Sequence, residues 1–141
     1  LFIAAGAFHI STPSDMIPEL QGRFPIRVEL DRLNTDDFIK ILTHPKSALI
    51  KQYIALMESE GVTLKFNDAG IKSISKIASE VNRKMENIGA RRLHTIMTTL
   101  LEAPLFEHPK PKEKVINITS KTVKDSLKGI LEDQDLSRYI L

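Results

Sequence analysis

The chain of 141 residues contains no cysteine, which excludes disulfides and any thiolate metal centre and suits a reducing compartment. It also lacks an excess of either charge: 20 basic residues against 18 acidic ones leave a net charge of +2. Nucleic-acid binding usually comes with a concentrated basic stripe, so this balance argues against such a partner. No apolar run approaches the roughly 20 residues needed to span a bilayer. The opening Leu1-Phe2-Ile3-Ala4-Ala5-Gly6-Ala7-Phe8 is short and has no basic segment before it, so it does not read as a secretory signal. A Gly-rich loop ending in Gly-Lys-Ser/Thr is missing, and so is an apolar strand ending in Asp-Glu. Without them there is no phosphate cradle and no carboxylate to hold Mg²⁺. The chain is therefore not expected to hydrolyse a nucleoside triphosphate alone.

What is present suits a globular fold. An apolar fraction of 42% beside 27% charged residues is enough to build a core. The first residue is not Met, and the chain starts on a strand-like run. It is expected to be a piece of something larger.

Residues 1–5 read as a buried strand, followed by a loop rich in Gly, Ser, Thr and Pro. Ser14 is placed to cap a short helix over about 15–21, with Gly22 ending it. Ile26-Arg27-Val28-Glu29-Leu30 alternates as a half-buried strand. From Asn34 the period turns helical. Thr35 is the expected cap of a helix with Asp36 and Asp37 in its positive first turn and Phe38, Ile41 and Leu42 on its apolar stripe. Pro45 or Ser47 opens the next, which carries Ile50, Ile54 and Met57 on one face and closes at Gly61. Residues 62–66 alternate as a short strand. Asn67 caps a helix bearing Ile71, Ile74, Ala78 and Val81. Another runs from about Gly89 through Glu102, with Leu93, Ile96, Met97, Leu100 and Leu101 inward. A Pro/Lys-rich connector follows over 108–114, then a strand over 115–118. Thr119 or Ser120 caps a last helix that aligns Val123, Leu127, Ile130 and Leu131. The expected fold class is α+β, mainly helical. Residues 1–31 belong with a larger body, 32–131 form a helical domain with a small sheet, and 132–141 form an acidic-to-apolar tail.

Two arginines stand at the ends of regular elements. On a helix at 100° per residue, Arg91 lies about 160° from Leu93, nearly opposite the core stripe, while Arg92 flanks it at about 100°. Arg91 also sits near a helix N-terminus, where the dipole favours anions. A phosphate there would gain both free N–H groups and a guanidinium, although a solvated surface arginine satisfies the same geometry. Arg23 follows Gly22 at a helix-to-strand corner. From there it could reach a neighbouring subunit, or pair locally with Glu19 or Glu29. His9, His44, His94 and His108 show no metal-ligand spacing.

Three separated segments decide between these readings. Gln21-Gly22-Arg23-Phe24-Pro25-Ile26-Arg27, Ile88-Gly89-Ala90-Arg91-Arg92-Leu93-His94 and the ending Glu132-Asp133-Gln134-Asp135-Leu136-Ser137-Arg138-Tyr139-Ile140-Leu141 together resemble the C-terminal third of HslU-type AAA+ unfoldases. The resemblance implies an AAA+ helical lid with a small sheet, preceded by the last strand and arginine-finger region of the large ATPase domain. It implies ATP as cofactor, with Mg²⁺ held by the upstream part. Arg23 would be an arginine finger acting in trans, with Glu19 in the same nucleotide-contacting corner, and Arg91 the sensor-2 residue. No sensor-1 residue can be assigned among His9, Ser11 and Thr12. The implied partners are an HslV-type peptidase, which the tail residues Leu136, Tyr139, Ile140 and Leu141 would dock on and activate, identical subunits in a cytoplasmic hexamer, and protein substrates. Neither nucleic acid nor a membrane is implied. The alternatives are a ClpX-type lid, which the Tyr139-Ile140-Leu141 ending disfavours, and a non-enzymatic helical interaction domain.

Overall fold

The computed structural model describes residues 1–8, 10–85, 87–106 and 115–132. They divide into two compact units, Leu1–Asp31 and Arg32–Leu141. The class is α+β and mainly helical: six α-helices stand beside one two-stranded sheet among the described residues. No described helix is long and apolar enough to cross a membrane.

In the first unit, Pro13–Asp15 forms a 3-10 turn and α1 runs over Pro18–Arg23. Ser14, expected to cap a helix over about 15–21, lies inside the 3-10 turn, and α1 starts only behind Ile17; the residue at the head of the turn is Thr12. Its N–H and hydroxyl donate to the Asp15 carboxylate at 2.7 and 3.1 Å, and those bonds hold that carboxyl below its ordinary range. Pro18 opens α1, where its missing N–H would have had no helical partner. Gly22 does not end this helix. It takes no left-handed φ, so α1 continues through Arg23 and closes when the Phe24 N–H donates to the Leu20 carbonyl at 2.9 Å.

Neither expected strand forms in this unit. Leu1, Phe2 and Ile3 are exposed, and Ile26, Val28 and Leu30 are 85%, 76% and 87% exposed. Alternation says which side chains share a face, but a strand exists only where a neighbour accepts its backbone hydrogen bonds. The only strand pair described, β1 (Thr63–Phe66) with β2 (Val115–Ile118), is satisfied internally.

The second unit is built from α2 (Thr35–Thr43), α3 (Leu49–Ser59), β1, α4 (Asp68–Lys84), α5 (Arg91–Phe106), β2 and α6 (Ser120–Glu132). Asn34, and not Thr35, caps α2. Its side chain accepts from the Asp36 and Asp37 N–H groups at 2.9 and 3.0 Å, while the Asp37 carboxylate accepts from the Asn34 N–H at 3.1 Å. This reciprocal pair needs an acceptor three residues after the cap, and from Thr35 that position would be Phe38. Helix α3 starts later than expected, behind Ala48, after a turn in which the Pro45 carbonyl accepts the Ala48 N–H at 3.1 Å. It does end at Gly61, whose φ of 76° lets its own N–H reach the Glu58 carbonyl at 3.0 Å and that of Val62 reach Met57 at 2.9 Å.

Strands β1 and β2 run parallel, with Thr63 opposite Val115 and Phe66 opposite Ile118. Parallel neighbours need a long crossover, and α4 and α5 lie within it. Asn67 caps α4 by accepting the Gly70 N–H at 2.7 Å, and its own N–H donates to the Ile118 carbonyl at 3.3 Å. The helix start is thereby tied to β2. Phe38 and Leu42 from α2, Ile74 and Ala78 from α4, Leu93, Ile96, Met97 and Leu101 from α5, and Val123 and Leu127 from α6 are almost wholly buried together with Ile118. Ser75 shares this interior without a hydrogen-bond partner among the described residues. Helix α5 runs past its expected end to Phe106 and carries Pro104 in its last turn. The connector over 108–114, the side chains of Ile130 and Leu131, and the tail beyond Glu132 lie outside the described residues.

Candidate functional site

Arg91 is the first residue of α5 and is exposed, whereas Arg92 beside it is only 3% exposed. Asn82, near the end of α4, contributes to this division. Its amide nitrogen donates to the Gly89 carbonyl at 3.0 Å, and its amide oxygen accepts from Arg92 Nε at 3.1 Å. Gly89 has a φ of 60°, which glycine adopts freely, and its N–H donates to Asn87 Oδ1 at 3.1 Å. The turn before α5 is thus held from α4, and Arg91 is turned outward, the direction its helical angle predicts.

Sequence reasoning missed Asn82 and the burial of Arg92. A signal was present: Asn82 follows Ala78 by four residues and so continues the buried stripe of α4. A polar residue on such a stripe must find partners, and these two are what it finds.

Arg91 lines a cavity of about 400 Å³ together with Ile41, Pro45, Ser47, Ala48, Leu49, Gln52, Ala90, Leu93 and His94. The end of α2, the turn into α3 and the first turns of α3 and α5 therefore converge on one recess. An adjoining recess of about 370 Å³ shares Leu49, Gln52 and His94 and adds Tyr53 and Leu56. Tyr53 is fixed to α5 by a 3.3 Å hydrogen bond between its hydroxyl and that of Thr98. Ala48 offers no side-chain cap to α3 and its first turn carries no acidic residue, so neither meets the partial positive charge of that turn. Apolar walls, a few polar groups and one guanidinium suit a ligand that is part apolar and part anionic.

The first unit holds two more of the predicted residues. Glu19 lies in the first turn of α1 and Arg23 is its last residue, both exposed. Among the described residues, Arg23 forms no ion pair with Glu19 or Glu29. Gln21 holds this corner. Its Nε2 donates to the Ser14 and Met16 carbonyls at 2.9 and 2.6 Å, and its Oε1 accepts from Arg27 Nη2 at 3.2 Å. Arg23 and Arg91 belong to different units. Leu136, Tyr139, Ile140 and Leu141 lie outside the described residues.

The fold and its recess define a mainly helical α+β protein with an outward arginine at the start of a helix. No family model matches the chain. Similarity to individual proteins is extensive: over all 141 residues the chain is 60% identical to the ATP-dependent protease ATPase subunit HslU of Persephonella marina. It is 57% identical over the same length to the subunits of that name from Thermosipho africanus and Staphylococcus saprophyticus. The chain spans 32% of the first of these proteins and 30% of the other two, about a third of their length. Its sequence thus resembles HslU-type ATPase subunits from Leu1 to Leu141.

Proposed function

We propose that the chain is the C-terminal part of an HslU-type AAA+ unfoldase, an ATPase that feeds protein substrates to an HslV-type peptidase. In this reading residues 1–31 end the large ATPase domain, 32–131 form its helical lid, and 132–141 form the peptidase-docking tail. The supporting observation is the exposed guanidinium of Arg91 at the start of α5, on the wall of a recess that the first turn of α3 also lines. Among the described residues, no carboxylate lines that recess. Its residues therefore suit a nucleotide better than a metal ion, since nothing among them repels a phosphate or would hold Mg²⁺.

ATP supplies the phosphoryl group whose hydrolysis drives the machine, and Mg²⁺ belongs to the upstream part of the subunit. Arg91 pairs with phosphate oxygens as sensor 2, while the apolar wall formed by Ile41, Ala48 and Leu49 shields the less polar part of the nucleotide. A hinge near residues 30–34 lets the lid follow nucleotide state. Arg23, with Glu19 in the same corner, reaches the nucleotide of the neighbouring subunit in a cytoplasmic homo-hexamer.

Arg91→Ala in the full-length subunit is expected to weaken ATP binding about 10- to 100-fold, the worth of one charge-assisted hydrogen bond at roughly 1.5–3 kcal/mol. Circular dichroism should stay unchanged, because the side chain is exposed. Unaltered affinity, measured by titration with a fluorescent nucleotide, would remove Arg91 from the site.

The tail has its own test. A peptide of residues 132–141 should stimulate HslV peptidase, and one lacking Tyr139-Ile140-Leu141 should not. Ordering a free peptide on binding costs entropy that only its pocket contacts repay. If the full peptide leaves the peptidase at its basal rate, the tail docks on its own subunit instead.

A further inference from the structure

Arg91 follows a turn that holds itself by short bonds, from the Gly89 N–H to Asn87 Oδ1 and from the Arg92 and Leu93 N–H groups to the Gly89 and Ala90 carbonyls, and that α4 holds through Asn82. Residues 87–90 join α4 to α5 without regular structure of their own, and Gly89 at a φ of 60° is a flexible choice of residue. A guanidinium on such a turn is placed only as well as these bonds place the turn, and a misplacement of about 1 Å can cost 10²-fold in activity. Asn82 is the group that acts on both sides of Arg91. It is 5% exposed and stands on the rigid, buried stripe of α4. Its amide bonds the Gly89 carbonyl two residues before Arg91 and Arg92 Nε one residue after it.

We propose that Asn82 is a positioning residue for Arg91: its bonds to Gly89 and Arg92 set the start of α5 and aim the Arg91 guanidinium at the nucleotide phosphates. This inference rests on the nucleotide reading of Arg91 given above. An asparagine suits the task because one planar amide offers a donor for the carbonyl and an acceptor for the guanidinium. Aspartate keeps the acceptor and loses the donor, setting a carboxylate oxygen against the Gly89 carbonyl. The pair of residues thus separates placement of the turn from burial of Arg92.

The experiment is a cycle in the full-length subunit with Asn82→Asp, Arg91→Ala and both together, measuring KM and kcat for ATP. Asn82→Asp is expected to raise KM about tenfold, the usual cost of a misdirected charge-assisted contact. In the Arg91→Ala background the same substitution should change KM less than twofold, because the side chain it aims is gone. Hydrogen exchange should quicken at the Arg92 and Leu93 amides and stay unchanged at Ile74 and Ala78.

A wild-type KM for Asn82→Asp, with Arg91→Ala impaired, overturns the proposal and leaves the nucleotide reading standing. A tenfold loss in both backgrounds also overturns it, since Asn82 would then act on the fold in general. A wild-type KM for Arg91→Ala sinks the nucleotide reading, and this proposal with it. Should Asn82→Asp fail to fold, Asn82→Ala decides by the same criteria, because it removes the bonds to the Gly89 carbonyl and to Arg92 Nε together.

Discussion

Replacing Arg23 by alanine in the full-length subunit is expected to lower ATP turnover by about 10³-fold or more, while ATP affinity changes only a few-fold. Charge develops on the transferred phosphoryl oxygens in the transition state, and a guanidinium supplied from a second subunit is worth roughly 10³–10⁵ in rate in well-studied NTPases. An interaction made only in the transition state lowers kcat and spares ground-state binding. Arg23 has the required freedom. It is the exposed last residue of α1 and has no ion pair with Glu19 or Glu29 among the described residues. The corner behind it is nonetheless firm, because Gln21 bonds two carbonyls of the preceding turn and the Arg27 guanidinium. Action in trans has its own signature. Subunits carrying Arg23→Ala, mixed with subunits that cannot bind nucleotide but keep Arg23, should recover measurable turnover. Wild-type turnover in the single variant, or no recovery on mixing, would place Arg23 outside the transition state of a neighbour.

The second large effect concerns the contact between α4 and β2. Gly70→Ala should open the α4–β2 contact, although alanine is the better helix former by about 1 kcal/mol. A Cβ on Gly70 would lie 2.5 Å from the Ile118 carbonyl oxygen and 3.1 Å from Asn67 Oδ1. The first neighbour is backbone in a paired strand and cannot swing aside. The second is the cap of α4 itself. Relief requires α4 to lift from β2, stretching the bond from the Asn67 N–H to the Ile118 carbonyl. Overpacking of this kind costs about 1–3 kcal/mol, and a lost cap costs about 1 kcal/mol more. The net loss is therefore about 2 kcal/mol. Hydrogen exchange in the full-length subunit should show it as roughly a 30-fold loss of protection at the Leu64 and Ile118 amides. Protection at or above the wild-type level would mean that the contact yields cheaply and propensity wins.

Helices were legible in the sequence because their signals are local. Leu93, Ile96, Met97, Leu100 and Leu101 repeat at helical spacing, and all are buried. Asn67 and Gly61 mark a helix start and a helix end by their own chemistry. Where local signals competed, the choice failed by a residue or two. Thr35 and Asn34 are both capping types, and Asp37, three residues after Asn34, settled the matter. Gly22 permits a helix stop without compelling one. Residues 26–30 alternate well and still form no strand, because alternation describes faces and pairing needs a neighbour.

The site divided along the same line. That Arg91 points away from the core follows from 100° per residue and needs no coordinates. What holds it there comes from α4, nine residues earlier, and no motif connects Asn82 with Arg91. The recess likewise joins the end of α2, the first turn of α3 and the first turn of α5, segments that are separated in the chain. Sequence alone was sufficient for the helices of the second unit, the α+β class, the two short strands, the outward arginine and the resemblance to HslU-type subunits, all of which depend on spacing and residue type within short windows. Packing between elements decided that Arg92 is buried beside an exposed Arg91, that Gly70 must lack a side chain, and that a recess forms next to Arg91. Each of these depends on distances between residues far apart in sequence, which hydrophobic periodicity does not encode.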